Sequence, residues 1–204
     1  MPDMSLPVPA PGLSPCCAYA EPTLPRRARA AEPRGHLALT AENGGRTPWC
    51  GPAAVALATG RGYHEASELL RCSAPGWYPG QGPIVTAYWR DLLAALRHAG
   101  VEHEVLDPAP DLPRQSLLRF VRGKLAPGWY LLRVTDHFLL LHHEGFGLAT
   151  VHDNRHSRAL LGARTHGRRK VTHVARLLGG PLAGPLGGPL DGQPSHQPFS
   201  AKAR

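Results

Sequence analysis

Thr47-Pro48-Trp49-Cys50-Gly51-Pro52-Ala53-Ala54 is the stretch from which the fold can be read. Cys50 stands where a loop gives way to a helix. Proline is tolerated in a first helical turn because its missing N–H would have had no partner there. Ala53 to Ala58 continues a strong helix-forming run, and Gly60 and Gly62 end it. A thiol at a helix N-terminus feels the positive end of the helix dipole, which favours the thiolate, the form that attacks carbonyl carbon. Such a nucleophile needs a base, and the base needs a group to orient it.

The chain supplies a candidate for each role, in the order Cys, His, Asp. His137 opens the apolar run Phe138-Leu139-Leu140-Leu141, and Gly128 to Val134 precedes it; both read as short buried strands. Glu144-Gly145-Phe146-Gly147 reads as a turn and Leu148 to Asp153 as the returning strand. An antiparallel hairpin of this length returns Asp153 beside His137, where a carboxylate holds the imidazole tautomer and stabilises the imidazolium. Asn154 is the alternative third member, since neighbouring strand residues face opposite ways and only one of the two can reach His137. Asp136 is read as pointing away. His142, His143, His152 and His156 crowd the same hairpin and raise the question of a metal. His142 and His143 face opposite sides of a strand, and no Cys lies near in sequence to complete a familiar zinc set. The expectation is therefore no metal and no cofactor.

Cys50-Gly51-Pro52-Ala53-Ala54, with the stretch from Trp129 to Asn154, resembles the papain-like cysteine peptidases, in particular small bacterial and phage forms related to double-glycine (bacteriocin-leader) peptidases. The resemblance covers roughly residues 36 to 178. It implies an α+β fold in which a central helix bearing the Cys packs on a small antiparallel sheet bearing the His. It also implies a Cys50-His137-Asp153 triad that cleaves a peptide bond through a thioester. Isopeptide cleavage, deamidation and transglutamination use the same intermediate. The family places a Gln or Asn about six residues before the Cys as an oxyanion donor. Gly44 holds that place here, and Asn43, one residue earlier, is the candidate donor beside the Cys50 N–H. A fold that binds peptides without turning them over is the rival from another class.

Composition narrows the remaining classes. A length of 204 residues suits one domain with tails. Nothing approaches the ~20 apolar residues of a membrane span. No apolar leader is apparent, so a cytoplasmic setting with reduced thiols is expected for Cys16, Cys17, Cys50 and Cys72. The net charge of +8 invites a polyanion partner. Yet only three of the basic residues are lysines (Lys124, Lys170, Lys202), and the clusters at Arg26-Arg27 and Arg168-Arg169-Lys170 lie near the domain edges. They are read as solvated surface, so a peptide or protein, rather than nucleic acid, is the expected partner. A basic phage-type protein associated with nucleic acid remains the third hypothesis, with steep salt dependence as its mark.

Residues 1–35, rich in Pro, Ala and Arg, read as a disordered arm, and 179–204, with repeated Gly-Pro-Leu, as a flexible tail. Between them, 36–178 forms the expected peptidase domain. Tyr63 to Leu70 reads as a short helix, Val85 to Gly100 as the best amphipathic helix, Val101 to Leu106 as an edge strand and Gln115 to Leu125 as another helix. Helices first and sheet second imply α+β.

Overall fold

The computed structural model describes residues 34–106, 115–123 and 125–181. The expectations for the two tails fall almost wholly outside these residues. The described chain is mixed α/β, with five helices and a six-stranded antiparallel sheet. The helices are α1 (His36–Glu42), α2 (Cys50–Thr59), α3 (Tyr63–Ser73), α4 (Trp89–His98) and α5 (Leu117–Val121). The strands are β1 (His103–Leu106), β2 (Gly128–Val134), β3 (His137–Gly145), β4 (Leu148–His152), β5 (Ala159–Leu160) and β6 (Val171–Leu177), in the spatial order β1-β6-β2-β3-β4-β5.

Helix α2 is the core of the helical layer. Every residue from Gly51 to Thr59 is buried, the pattern of a helix surrounded by protein on all sides. Gly60 ends it in the left-handed conformation (φ 66°). Gly51 has a specific steric role. A Cβ there would lie 2.4 Å from the Ala87 Cβ, so only glycine lets the segment before α4 approach the first turn of α2.

That segment explains why α4 starts later than the periodicity suggests. Val85 to Tyr88 runs without helical structure, and Tyr88 is the extended N-cap. Its N–H donates to the Tyr78 hydroxyl (3.3 Å), which in turn donates to the buried Asp91 carboxylate (2.7 Å). Leu92, Leu93 and Leu96 face inward as expected, and Gly100 takes φ 76°. The helix expected over 115–125 contracts to α5, capped by Ser116. Helix α1 was not foreseen. Long-range contacts hold it: the His36 N–H donates to Ser157 Oγ (2.7 Å), and Glu42 Oε2 accepts the Tyr63 N–H (2.6 Å).

Strands β2 and β3 are nearly continuous apolar runs because both faces of the sheet are covered. Trp129, Leu131, Phe138 and Leu140 face the helical layer, and Tyr130, Leu132, Leu139 and Leu141 pack with α5 on the other side. Strand β6 was also unforeseen. It inserts between β1 and β2, so the edge position expected for β1 holds while the last strand among the described residues becomes internal.

Two outcomes test this packing. Gly51→Ala should destabilise the protein by about 1–3 kcal/mol, the usual scale of overpacking, although alanine is the better helix former. Ala87→Gly in the same chain should recover most of that loss in a urea titration. The second concerns His152, which is 2% exposed beside Trp129. Burial, reinforced by His142 and Arg158, depresses it to about 4 from an ordinary 6.5. The unfolded chain therefore binds a proton between those values that the folded chain does not, and stability must fall as pH drops through that window. In thermal melts, His152→Gln should show a flatter dependence of Tm on pH over that interval than the parent.

Candidate active site

Three separate elements bring the site together. Cys50 opens α2, His137 opens β3, and Asp153 follows the last residue of β4. Leu140 pairs with His152 and Leu141 with Val151. Continuing that register puts Asp153 opposite Leu139, on the same face as His137 and diagonal to it, a separation long side chains can span. The His137 Nε2 lies 2.8 Å from Asp153 Oδ2. That leaves Nδ1 as the nitrogen free to meet the thiol. The His137 side chain and the Phe138 N–H are the hydrogen-bonding neighbours that lower the Cys50 thiol.

Asn154 does a different job. Its Nδ2 donates to the Pro48 carbonyl at 2.6 Å, tying the end of the hairpin to the loop two residues before Cys50. Its Oδ1 is buried without a partner and the residue lines the cleft around the thiol. Asp136, at φ 55°, lines that cleft as well.

Asp153 is 1% exposed and its carboxylate is saturated with donors. Oδ2 lies 2.8 Å from His137 Nε2 and 2.6 Å from His166 Nε2. Oδ1 accepts the N–H groups of Arg155 (2.8 Å) and His156 (2.7 Å) and lies 3.0 Å from His156 Nδ1. Burial pushes the Asp153 carboxyl upward, but the bonds from His137, His166 and Arg155 outweigh it and hold it far below the usual carboxylate range. Burial also lowers His137, yet the bond to Asp153 and the nearby Cys50 raise it on balance. For Cys50 burial raises the thiol, while the bonds from His137 and Phe138 bring the balance below its ordinary value. Both directions favour a thiolate facing an imidazolium.

Asn43 is not brought to the thiol. It caps the end of α1, and Gly44 and Gly45, at φ 64° and 77°, turn the chain behind it. Its Nδ2 closes this turn on the Arg46 carbonyl at 3.0 Å. It lines a neighbouring cleft of about 820 Å³, while Cys50 lies in one of about 410 Å³. Thr47 and Trp49 border both clefts, and Trp49 is 42% exposed at the junction. As the first residue of α2, Cys50 has a backbone N–H without an intrahelical acceptor, a donor suited to an oxyanion.

The sequence reading missed His166. Thirteen residues separate it from Asp153, and only the loop after β5 returns it. Its one local signal is the Gly that follows it. Among the described residues, His137, Asp153 and His166 are also the group able to collect a metal ion, their ligand atoms lying within 4.8 Å of one another. A cation there would take both imidazole lone pairs and displace both hydrogen bonds to Oδ2. Cys72, in α3, and the His142–Trp129 stack (4.4 Å) lie outside this constellation.

No family profile, curated protein or solved structure matches this chain. No helix among the described residues is long and apolar enough to cross a membrane.

The electrostatics give a direct test. Iodoacetamide should alkylate Cys50 in the folded protein with an apparent pKa below that of the same residue in urea. His137→Ala should move it upward, because the thiol keeps its burial and loses the cation that offset it.

Proposed function

We propose that this protein is a papain-like cysteine peptidase that hydrolyses peptide bonds in a peptide or protein substrate. The observation that carries it is that Cys50 and His137 line one cleft and that Asp153 holds His137 by a hydrogen bond, three residues picked for these roles from the sequence. In the reaction the Cys50 thiolate attacks the carbonyl carbon, and the Cys50 N–H stabilises the resulting oxyanion. His137 Nδ1 then gives its proton to the departing amine nitrogen, leaving a thioester on Cys50. Water attacks the thioester, His137 takes the water's proton, and the carboxylic acid leaves as the thiolate re-forms. Asp153 keeps His137 in the tautomer that this exchange needs. The two adjoining clefts on either side of Trp49 suit an extended polypeptide better than a small amide. A cytoplasmic setting, which would keep Cys50 reduced, fits this chemistry.

A second reading, a papain-like fold that binds peptides without turnover, draws on one observation. The Asn43 amide is committed to Arg46 rather than offered to the oxyanion. Loss of one such donor typically costs ~10²–10³ in rate.

One experiment separates the two. The full chain is treated with a peptidyl electrophile and, in parallel, with a quenched-fluorescent peptide library. An active peptidase should be labelled stoichiometrically at Cys50 and should cleave library peptides. Cys50→Ala should remove cleavage, and His137→Ala should remove it about as completely, because triad members act as a unit. Binding of uncleaved peptides by the parent, unchanged in Cys50→Ala, would favour the second reading. Neither labelling nor cleavage would leave the peptidase proposal without support.

A further inference from the structure

The loop between β5 and β6 is built around one side chain. His166 has φ 65°, a left-handed conformation uncommon for a residue other than glycine and found where surrounding structure enforces it. The enforcement is visible on both sides of it. Gly167 packs so closely on Gly162 that a Cβ would meet the Gly162 oxygen at 2.4 Å. The Gly167 N–H donates to that oxygen at 2.9 Å, and the Thr165 hydroxyl accepts the Gly162 N–H at 2.7 Å, closing the loop on itself. The loop is then fastened to the start of α5, where Leu118 N–H donates to Gly167 O (3.0 Å) and Leu117 N–H to Arg169 O (2.8 Å).

What this loop presents is an imidazole against the triad. His166 Nε2 reaches Asp153 Oδ2, the same oxygen that His137 uses. Its ring stacks on the His137 ring, with centroids 4.6 Å apart and planes 21° from parallel. The His156 ring lies edge-on to it at 5.5 Å, and Arg155, Arg169 and Asp136 line the same cleft. The Asp153 Oδ1 is held separately by the Arg155 and His156 N–H groups, so the two ends of the carboxylate are anchored by different elements.

We infer that His166 is a positioning residue of this site, a fourth member that acts through Asp153 and His137 rather than on substrate. Two things follow from its placement. By donating to Oδ2 it stops the carboxylate from turning about the Oδ1 anchor, so the acceptor stays in line with His137 Nε2. By stacking, it fills the space into which the His137 ring would otherwise tilt away from Cys50. Displacements of about an ångström at a reacting group can cost on the order of 10²-fold in rate. The inference rests on Cys50 and His137 working as a pair, as in the proposed function.

The test reads the pair directly and needs no substrate. Rates of iodoacetamide alkylation at Cys50 are followed by mass spectrometry across pH for the full-length parent, His137→Ala, His166→Phe and His166→Gln. Phenylalanine keeps a stackable ring without a donor, and glutamine keeps a donor without the ring. A melt of each variant fixes a temperature at which all are folded. If the hydrogen bond to Oδ2 does the positioning, His166→Phe should alkylate on the order of tenfold more slowly than the parent near pH ~6, where only a pair-stabilised thiolate reacts. His166→Gln should then recover most of the parent rate. If stacking does it, the order of the two variants is reversed, and the inference also stands. Profiles of both variants superimposed on the parent, with His137→Ala displaced, would overturn the inference and leave the Cys50–His137 pair intact. No displacement in His137→Ala would instead overturn the pair, and the inference with it.

Discussion

The Asp153 carboxylate is the point on which this site depends. A buried charge without partners costs far more than a domain can spare. Asp153 is tolerated at 1% exposure because three imidazoles and two backbone N–H groups surround it. Meeting that requirement draws three parts of the chain together: the start of β3, the turn after β4 and the loop after β5. The low proton affinity of Asp153 then propagates outward. It raises His137, and a more cationic His137 lowers Cys50. The lowered Cys50 thiol is thus the far end of a solvation problem solved inside the sheet.

The thiol must still be delivered to that point, and backbone contacts rather than side-chain charge do this. Gly51 lets the chain at Ala87 press against the first turn of α2. Asn154 grips the Pro48 carbonyl across 106 residues of sequence. Tyr63 receives the Trp49 N–H through its hydroxyl at 3.1 Å. These anchors fix the entry to α2 from the strand layer and the helical layer at once. A sulfur on an unanchored loop would sample positions far from the imidazole, and the pair would lose its advantage in orientation.

The fully buried α2 is the complement of this arrangement. A helix apolar on every side has no preferred face toward water, so its orientation follows from what is packed around it. Here α3 and α4 cover one side, and the sheet face bearing Trp129, Leu131, Phe138 and Leu140 covers another. The N-terminus of α2 is left at the rim, where Cys50 is half-buried. Core packing and the placement of the Cys50 thiol are therefore one constraint, which is why a single methyl at Gly51 is expected to disturb both.

Much of this was legible in residues whose local chemistry is strong. Cys50 before a proline-primed, alanine-rich helix, the apolar runs of β2 and β3, and the hairpin spacing from His137 to Asp153 all follow from propensity and strand parity, which act over a few residues. Asp153 over Asn154 could be favoured by parity, but the β3–β4 register decided it, and that register is set by pairing across the sheet. Asn43 is a donor candidate because it stands shortly before Cys50 in the chain, yet its amide donates to the Arg46 carbonyl in the turn after α1. Helix α1 and strand β6 carry weak local signals and exist because Ser157, Tyr63 and the neighbouring strands complete them. His166 is the clearest case: nothing near it in sequence but the following glycine marks it, and only the closure of its loop onto the sheet brings its ring onto His137. Local sequence determines what a segment prefers to be and which chemistry it carries. Which distant groups share one buried carboxylate is decided only when the chain packs and every polar atom removed from water must find a partner.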